Sequence, residues 1–295
     1  MNSRRCKRAR PGSAATRKSA RLFAWRLGLE CFVRPLRALI VSVALLTLVG
    51  LGRAGDAPLV LGANIGNVPW EFQARGGAYE GFEIDLVREL AQRLGRPLEI
   101  RNIPFNGLFA AVQSGRIDIA ASSISTTPQR LTQVAFTQPF YDSDQSLTVL
   151  RSSPIKGLED LAGRRVGVDT GSTGDIWASA NQARYDIGTL ARYEGLAPAM
   201  LDLQSRRLDA YLSDIPALLY YAKDKPFLRI AERIPTGERY ALMLGKEGAL
   251  LEPLNAALSA LKTEGVLAKL HEKWFGEAPA ASSSTVTVLP SPSVP

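Results

Sequence analysis

The stretch "SSISTTPQR", residues 122–130, sets hydroxyls ahead of a proline and an arginine. Thr127 reads as a helix N-cap and Pro128 as the first helical residue. Arg130 then falls in the first turn, the positive end of the helix macrodipole, which disfavours a cation. An arriving anion would offset that cost. The arginine fork matches a carboxylate, and Ser122, Ser123, Ser125 and the free N–H groups of a helix start add donors. A second stretch, "DTGSTGD", residues 169–175, places Gly171, Ser172, Thr173 and Gly174 between a strand and a helix. Small residues there let backbone amides approach an anion, although the lysine of a phosphate loop and the full dinucleotide spacing are missing. The third candidate is Asp214, ending "RLDAYLSD". Alone, each has an ordinary reading: a solvated arginine, a tight turn, a loop acid. Set across a cleft, a guanidinium and a carboxylate would suit the zwitterion of a free α-amino acid.

These residues need a scaffold that brings strand exits together. "APLVLGAN" and "PLEIRNI" read as strands. "GFEIDLVRELAQRLG" repeats apolar residues at helical spacing and meets Gly95 at its end. "NGLFAAVQSG" reads as a second helix, with Asn106 as N-cap and Gly115 as stop. "RIDIAAS" is the strand leading into the arginine motif. "RRVGV" leads into "DTGSTGD" and a helix from about Ile176. "SGRIDIAASS" (114–123) and "SRRLDAYLSD" (205–214) share one local order 91 residues apart, which suggests two similar α/β lobes with mainly parallel sheets. Open sheets of this kind bind ligands beyond the carboxyl ends of their strands. A long helical segment over residues 248–276 closes the fold. It contains the sole histidine, His271, which reads as structural, so neither a Ser-His-Asp triad nor a histidine-rich metal site is expected. No cofactor is expected either.

Charge is distributed unevenly. Residues 1–54 carry twelve of the 36 Lys and Arg and one of the 28 acids, Glu30, which leaves 24 basic and 27 acidic residues beyond. That remainder offers no nucleic-acid footprint. The basic start, the apolar run "ALIVSVALLTLVGLG" and "GRAGDAP" have the layout of a secretory signal peptide cut after Ala54. Fifteen apolar residues are short for a membrane span, and an uncleaved anchor is the alternative. Cys6 and Cys31 both lie in the leader, so the exported part has no cysteine nucleophile or disulfide. The tail from Glu277, rich in Ala, Ser and Pro, reads as disordered.

"YEGFEIDLVRELAQRLG", "FNGLFAAVQSGRIDIAASSISTTPQRLTQVAFTQPFY", "RRVGVDTGSTGD" and "SRRLDAYLSD" resemble the family 3 extracellular solute-binding proteins, the amino-acid-binding subunits of bacterial ABC importers, over residues 58–276. The resemblance implies a two-lobe, periplasmic-binding-protein (type II, Venus-flytrap) α/β fold with two hinge crossovers. It divides the chain into lobe 1 (55–144), lobe 2 (145–239), a return to lobe 1 (240–276) and the tail (277–295). It implies that Arg130 binds the ligand carboxylate, helped by Ser123, Ser125 and Thr173, and that Asp214 takes the ammonium group. Asn64, Asn67, Trp70, Phe105, Ser122 and Asp169 would complete the pocket. Many relatives have an aromatic where Asn67 stands, so side-chain stacking is in doubt here, and Asp169 could attract a cation. A polar or basic amino acid is the favoured ligand. The expectation is thus a monomeric, periplasmic receptor that delivers to an ABC permease. Its competitors are an exported cyclohexadienyl dehydratase of the same fold, lacking the ammonium-binding aspartate, and a ligand-sensing module.

Overall fold

The computed structural model describes residues 57–294, so the expected leader lies outside the described residues. The chain builds two α/β lobes, each around a five-stranded sheet. The first sheet contains β1 (Leu59–Ala63), β4 (Leu98–Asn102), β5 (Ile119–Ala120), β6 (Val134–Phe136) and β12 (Met243–Gly245), in the order β4-β1-β5-β12-β6. A two-stranded ribbon, β2 (Phe72–Gln73) and β3 (Tyr79–Glu80), precedes its first helix. The second sheet contains β7 (Tyr141–Leu150), β8 (Arg165–Asp169), β9 (Thr189–Tyr193), β10 (Ala210–Asp214) and β11 (Leu228–Tyr240), in the order β9-β8-β10-β7-β11.

The two orders are the same layout. In each sheet, one strand runs against its neighbours: β12 against β5 and β6, and β7 against β10 and β11. Both are strands that have just crossed from the other lobe. The sequence repeat accounts for part of this likeness. Asp118, one residue before β5, accepts the backbone N–H of Val60 at 2.9 Å. Asp209, one residue before β10, accepts that of Arg165 at 2.8 Å. Each aspartate also pairs with an arginine, Arg96 and Arg165 respectively. The same acid therefore fixes the start of a neighbouring parallel strand in both lobes.

Helices α1 (Phe82–Arg93), α2 (Phe105–Gln113), α7 (Leu251–Thr263) and α8 (Val266–Phe275) cover the first sheet, and α3 (Pro128–Leu131) carries Arg130. Helix α1 buries Phe82, Leu86, Val87, Leu90 and Ala91, one stripe of a 3.6-residue period. Helices α4 (Thr173–Asn181), α5 (Leu196–Gln204) and α6 (Ile215–Ala222) belong to the second lobe. Starts predicted from local signals shift slightly. Helix α2 begins at Phe105, with Pro104 rather than Asn106 at the cap, and α4 begins at Thr173 rather than near Ile176 because Ser172 caps it. The predicted last helix breaks into two at Gly265, whose φ of +74° lies in the left-handed region. The tail also departs from expectation. It is ordered against the first lobe, turning over residues 281–287, with Ser284 and Thr285 buried. Its backbone bonds to Asp142, Gln138 and Lys262. A segment too polar to build a core is held by side chains that the folded lobe already presents.

At the lobe junction β7 and β11 run antiparallel, pairing Tyr141 with Tyr240, Asp142 with Arg239 and Ser143 with Glu238. Trp70 is fully buried there, with ring centroids 4.7 Å from Tyr141, 5.2 Å from Tyr240 and 5.2 Å from Phe275. His271 stacks on Tyr141, and its Nδ1 lies 2.9 Å from the carbonyl of Glu277, in keeping with a structural histidine. Trp70→Ala is therefore expected to cost about 3–5 kcal/mol of folding stability. Urea denaturation measures this; an unchanged midpoint would count against the aromatic junction as a packing centre.

Candidate functional site

Arg130 reaches its place as the local sequence dictates. Thr127 Oγ1 accepts the Arg130 backbone N–H at 3.1 Å, and Pro128 opens α3. The guanidinium is 8% exposed and lies 5.6 and 5.3 Å from the ring centroids of Phe105 and Phe109. Its donors go to two neutral carbonyls, Ser125 at 2.7 Å and Gly171 of the opposite lobe at 3.2 Å. Burial lowers its pKa, opposed by the charges of Glu238 and Asp214. The aromatic platform and the carbonyls replace part of the hydration that the cation loses.

The facing wall begins at the loop between β8 and α4. Gly171 has a φ of +73°, a conformation that suits glycine, and Ser172 Oγ accepts the Asp175 backbone N–H at 3.1 Å. A side chain at Gly174 would sit 2.9 Å from Gln145 Oε1 and 3.1 Å from Leu212, so its absence lets the helix start press against β7 and β10. Asp214 ends β10 and accepts hydrogen bonds from the Gln145 amide and the Tyr240 hydroxyl, the latter at 2.5 Å. Burial, and then the charge of Glu238, push the Asp214 carboxyl up to about 8. Asp214 is therefore largely protonated at neutral pH, and a cation would draw the proton off.

One cavity between the lobes, about 130 Å³, is lined by Arg130 and Asp214 together. At the volume a water takes in the liquid, about 30 Å³, this is room for roughly four waters. Asn64, Asn67, Phe105, Ser122, Ser123, Asp169 and Thr173 also line it, so nine of the eleven expected residues meet there. Trp70 and Ser125 do not line it. Trp70 is consumed by the aromatic junction, which removes it as an apolar wall for a ligand. Ser125 lies behind the wall: its hydroxyl donates to Glu238, and the bridge to Tyr240 fixes its backbone. Asp169 is pushed up to about 6, chiefly by burial, opposed by hydrogen bonding from the Tyr211 hydroxyl and the Gly195 backbone N–H. Glu194 and the start of α5 complete the wall on that side.

Several groups behind the cavity have no local signature in the sequence. Glu71 accepts from Ser122 Oγ at 2.6 Å and from Asn67 Nδ2 at 3.1 Å. Glu83 accepts the Ser123 backbone N–H on both oxygens, at 3.0 Å each. Ser123 has a φ of +45°, and this carboxylate holds the strained turn. Burial raises both acids, Glu71 well above the ordinary range and Glu83 to about 7. Gln145 and Glu238, on the crossing strands, were likewise invisible to spacing rules, because only strand pairing brings them to the site. Among the described residues, no group of three His, Cys, Asp or Glu is placed to hold a metal.

Two α/β lobes, joined by two crossing segments around a charged cavity, define a bilobal binding-protein fold. The chain belongs to the bacterial extracellular solute-binding proteins, family 3, whose pattern matches residues 59–277. It is 27% identical to ABC transporter arginine-binding protein 1 of Escherichia coli, over 80% of this chain and 98% of that one. It is 30% identical to the L-cystine-binding protein TcyJ of the same species, over 70% and 79%. Among solved structures it resembles the arginine-, lysine-, histidine-binding protein ArtJ of Geobacillus stearothermophilus, with a TM-score of 0.70 and 28% identity over 75% of this chain and 96% of that one.

The electrostatics can be checked in the ligand-free protein. Asp214 is expected to titrate near pH 8 by carboxyl-carbon NMR, and Glu238→Gln, by removing the neighbouring charge, is expected to bring that midpoint down. A midpoint near the ordinary value of about 4 would contradict the description of the site.

Proposed function

We propose that the protein is an exported receptor that captures a free amino acid between its lobes and passes it to an ABC permease. The observation that carries this reading is the pairing of Arg130 with Asp214: one cavity, walled by both lobes, presents a buried guanidinium and a desolvated carboxyl. The guanidinium takes the ligand carboxylate, supported by the amides at the start of α4, which have no acceptor within their helix. Asp214 takes the ammonium group and gives up its proton as it does so. A ligand that touches both lobes favours the closed form, whereas one held by a single lobe shifts nothing. The hinges lie where the chain crosses near residues 144 and 239. The working form is a monomer in the periplasm, delivered there by the leader.

A basic or polar side chain fits best. Asp169, Glu194 and Asp214 face one cation, Arg130, among the lining residues, so a zwitterion with one further positive charge balances the cavity better than a neutral one. Asp169, a carboxyl in the cavity wall, is the group that would meet that charge. The names of the relatives, which include arginine and cystine binders, agree with this class. Asn67 offers an amide where a stacking ring would serve an aromatic or planar side chain.

A thermal-shift screen of the twenty amino acids identifies the ligand, and calorimetric titration then tests the assignment. Arg130→Ala is expected to cost about 2–5 kcal/mol of binding, since it strands the ligand carboxylate in a desolvated site. Lys269→Ala, on the exposed side of α8, should bind as the parent does. Equal affinities for the Arg130 variant and the parent would remove the central assignment.

A further inference from the structure

Glu238 is half-buried on β11, paired across the hinge with Ser143. Four donors converge on its carboxylate. One oxygen accepts from Gln145 Nε2 at 2.8 Å and Thr236 Oγ1 at 3.0 Å. The other accepts from Thr173 Oγ1 at 2.7 Å and from Ser125 Oγ. These last two donors come from opposite lobes. Ser125 lies in the loop after β5 of the first sheet, and Thr173 opens α4 beside the second. A rotation that separates Ser125 from Thr173 must break at least one of the two bonds to their shared oxygen. None of the four contacts involves a ligand.

We infer that Glu238 is a ligand-independent latch: its carboxylate, carried on a crossing strand, ties the Ser125 hydroxyl of one lobe to the Thr173 hydroxyl of the other and so sets how often the empty cleft is closed. The inference rests on the reading that the lobes open and close over the cavity. Hydrogen bonds to a charged group are among the stronger ones in proteins. The latch therefore shifts the resting balance towards the closed form before any ligand arrives, and it slows ligand escape afterwards. Its negative charge adds a second consequence. Standing beside Asp214, it makes an ammonium group more welcome in the closed cleft than a neutral one.

The test is made without ligand. Spin labels are placed at exposed positions on each lobe, Gln113→Cys on α2 and Gln204→Cys on α5, in full-length chain carrying Cys6→Ser and Cys31→Ser. Pulsed dipolar spectroscopy then gives the closed and open populations. Glu238→Ala is expected to lower the closed-to-open ratio roughly tenfold to a hundredfold, the span of a charged hydrogen bond. Glu238→Gln, which keeps one acceptor oxygen for the two hydroxyls, should fall between it and the parent. Ser125→Ala combined with Glu238→Ala should add little to Glu238→Ala alone, as expected for two residues acting through one contact. A distance distribution in folded Glu238→Gln and Glu238→Ala indistinguishable from the parent's would overturn the latch. Addition of L-arginine, L-glutamine or L-cystine to the same labelled parent reports separately on amino-acid capture, so that a missing ligand response and a missing latch are read from different samples.

Discussion

A cation and an acid removed from water, each supplied by a different lobe, form the constraint around which this protein is arranged. Arg130 is nearly buried, yet its donors meet neutral carbonyls rather than a carboxylate. Asp214 is desolvated and stands beside a second acid, Glu238. Isolated buried charge is costly, and proteins ordinarily respond by pairing or neutralising it. Here burial raises the Asp214 pKa and lowers that of Arg130. Under the proposed function, a zwitterion would reverse both responses at once, because it would bring an anion to the guanidinium and a cation to the carboxyl. On the proposed function, recognition of the head group rests on a guanidinium without an anion and a carboxyl without a cation.

The scaffold explains how such a pair comes to face each other across one cavity. Each lobe is complete in itself, with the same strand order and the same aspartate fixing a strand start. Neither contains both charges. The strands that leave one sheet and enter the other carry Gln145 and Glu238 behind the cavity wall, where the Gln145 amide bonds to Thr173, Asp214 and Glu238. Trp70, Tyr141, Tyr240 and Phe275 pack ring against ring at the lobe junction. Rigidity at the root and polarity at the mouth come from the same two crossing segments.

Much of this was legible in the sequence, and the gaps have physical causes. The Thr127 cap, the Arg130 position, the glycine-rich turn and the strand ending at Asp214 depend on local chemistry, and short stretches reveal local chemistry. The 91-residue repeat correctly implied two lobes of one design. Trp70 was misplaced because a large aromatic beside a polar turn serves equally well as a cavity wall or a core, and only three further rings from distant segments decide between them. Ser125 was read as a cavity residue, but the pleat turns its hydroxyl towards Glu238, 113 residues away. Glu71 and Glu83 went unnoticed because acids in a loop and at a helix start are ordinarily solvated. Composition argued for a free tail, yet the groove formed by Asp142, Gln138 and Lys262 captures it, and no property of the tail alone could report that.

The most direct measurement alters the ligand and leaves the protein intact. The amino acid that binds is titrated calorimetrically beside its methyl ester, which removes the anionic end, and its Nα-acetyl derivative, which removes the cationic end. Opposed groups closing over a zwitterion predict that each blocked form binds at least a hundredfold more weakly than the free amino acid, since the ester leaves the Arg130 guanidinium without its anion and the acetyl form gives Asp214 no cation to pair with. An ester or an acetylated form bound as tightly as the free amino acid would contradict the account.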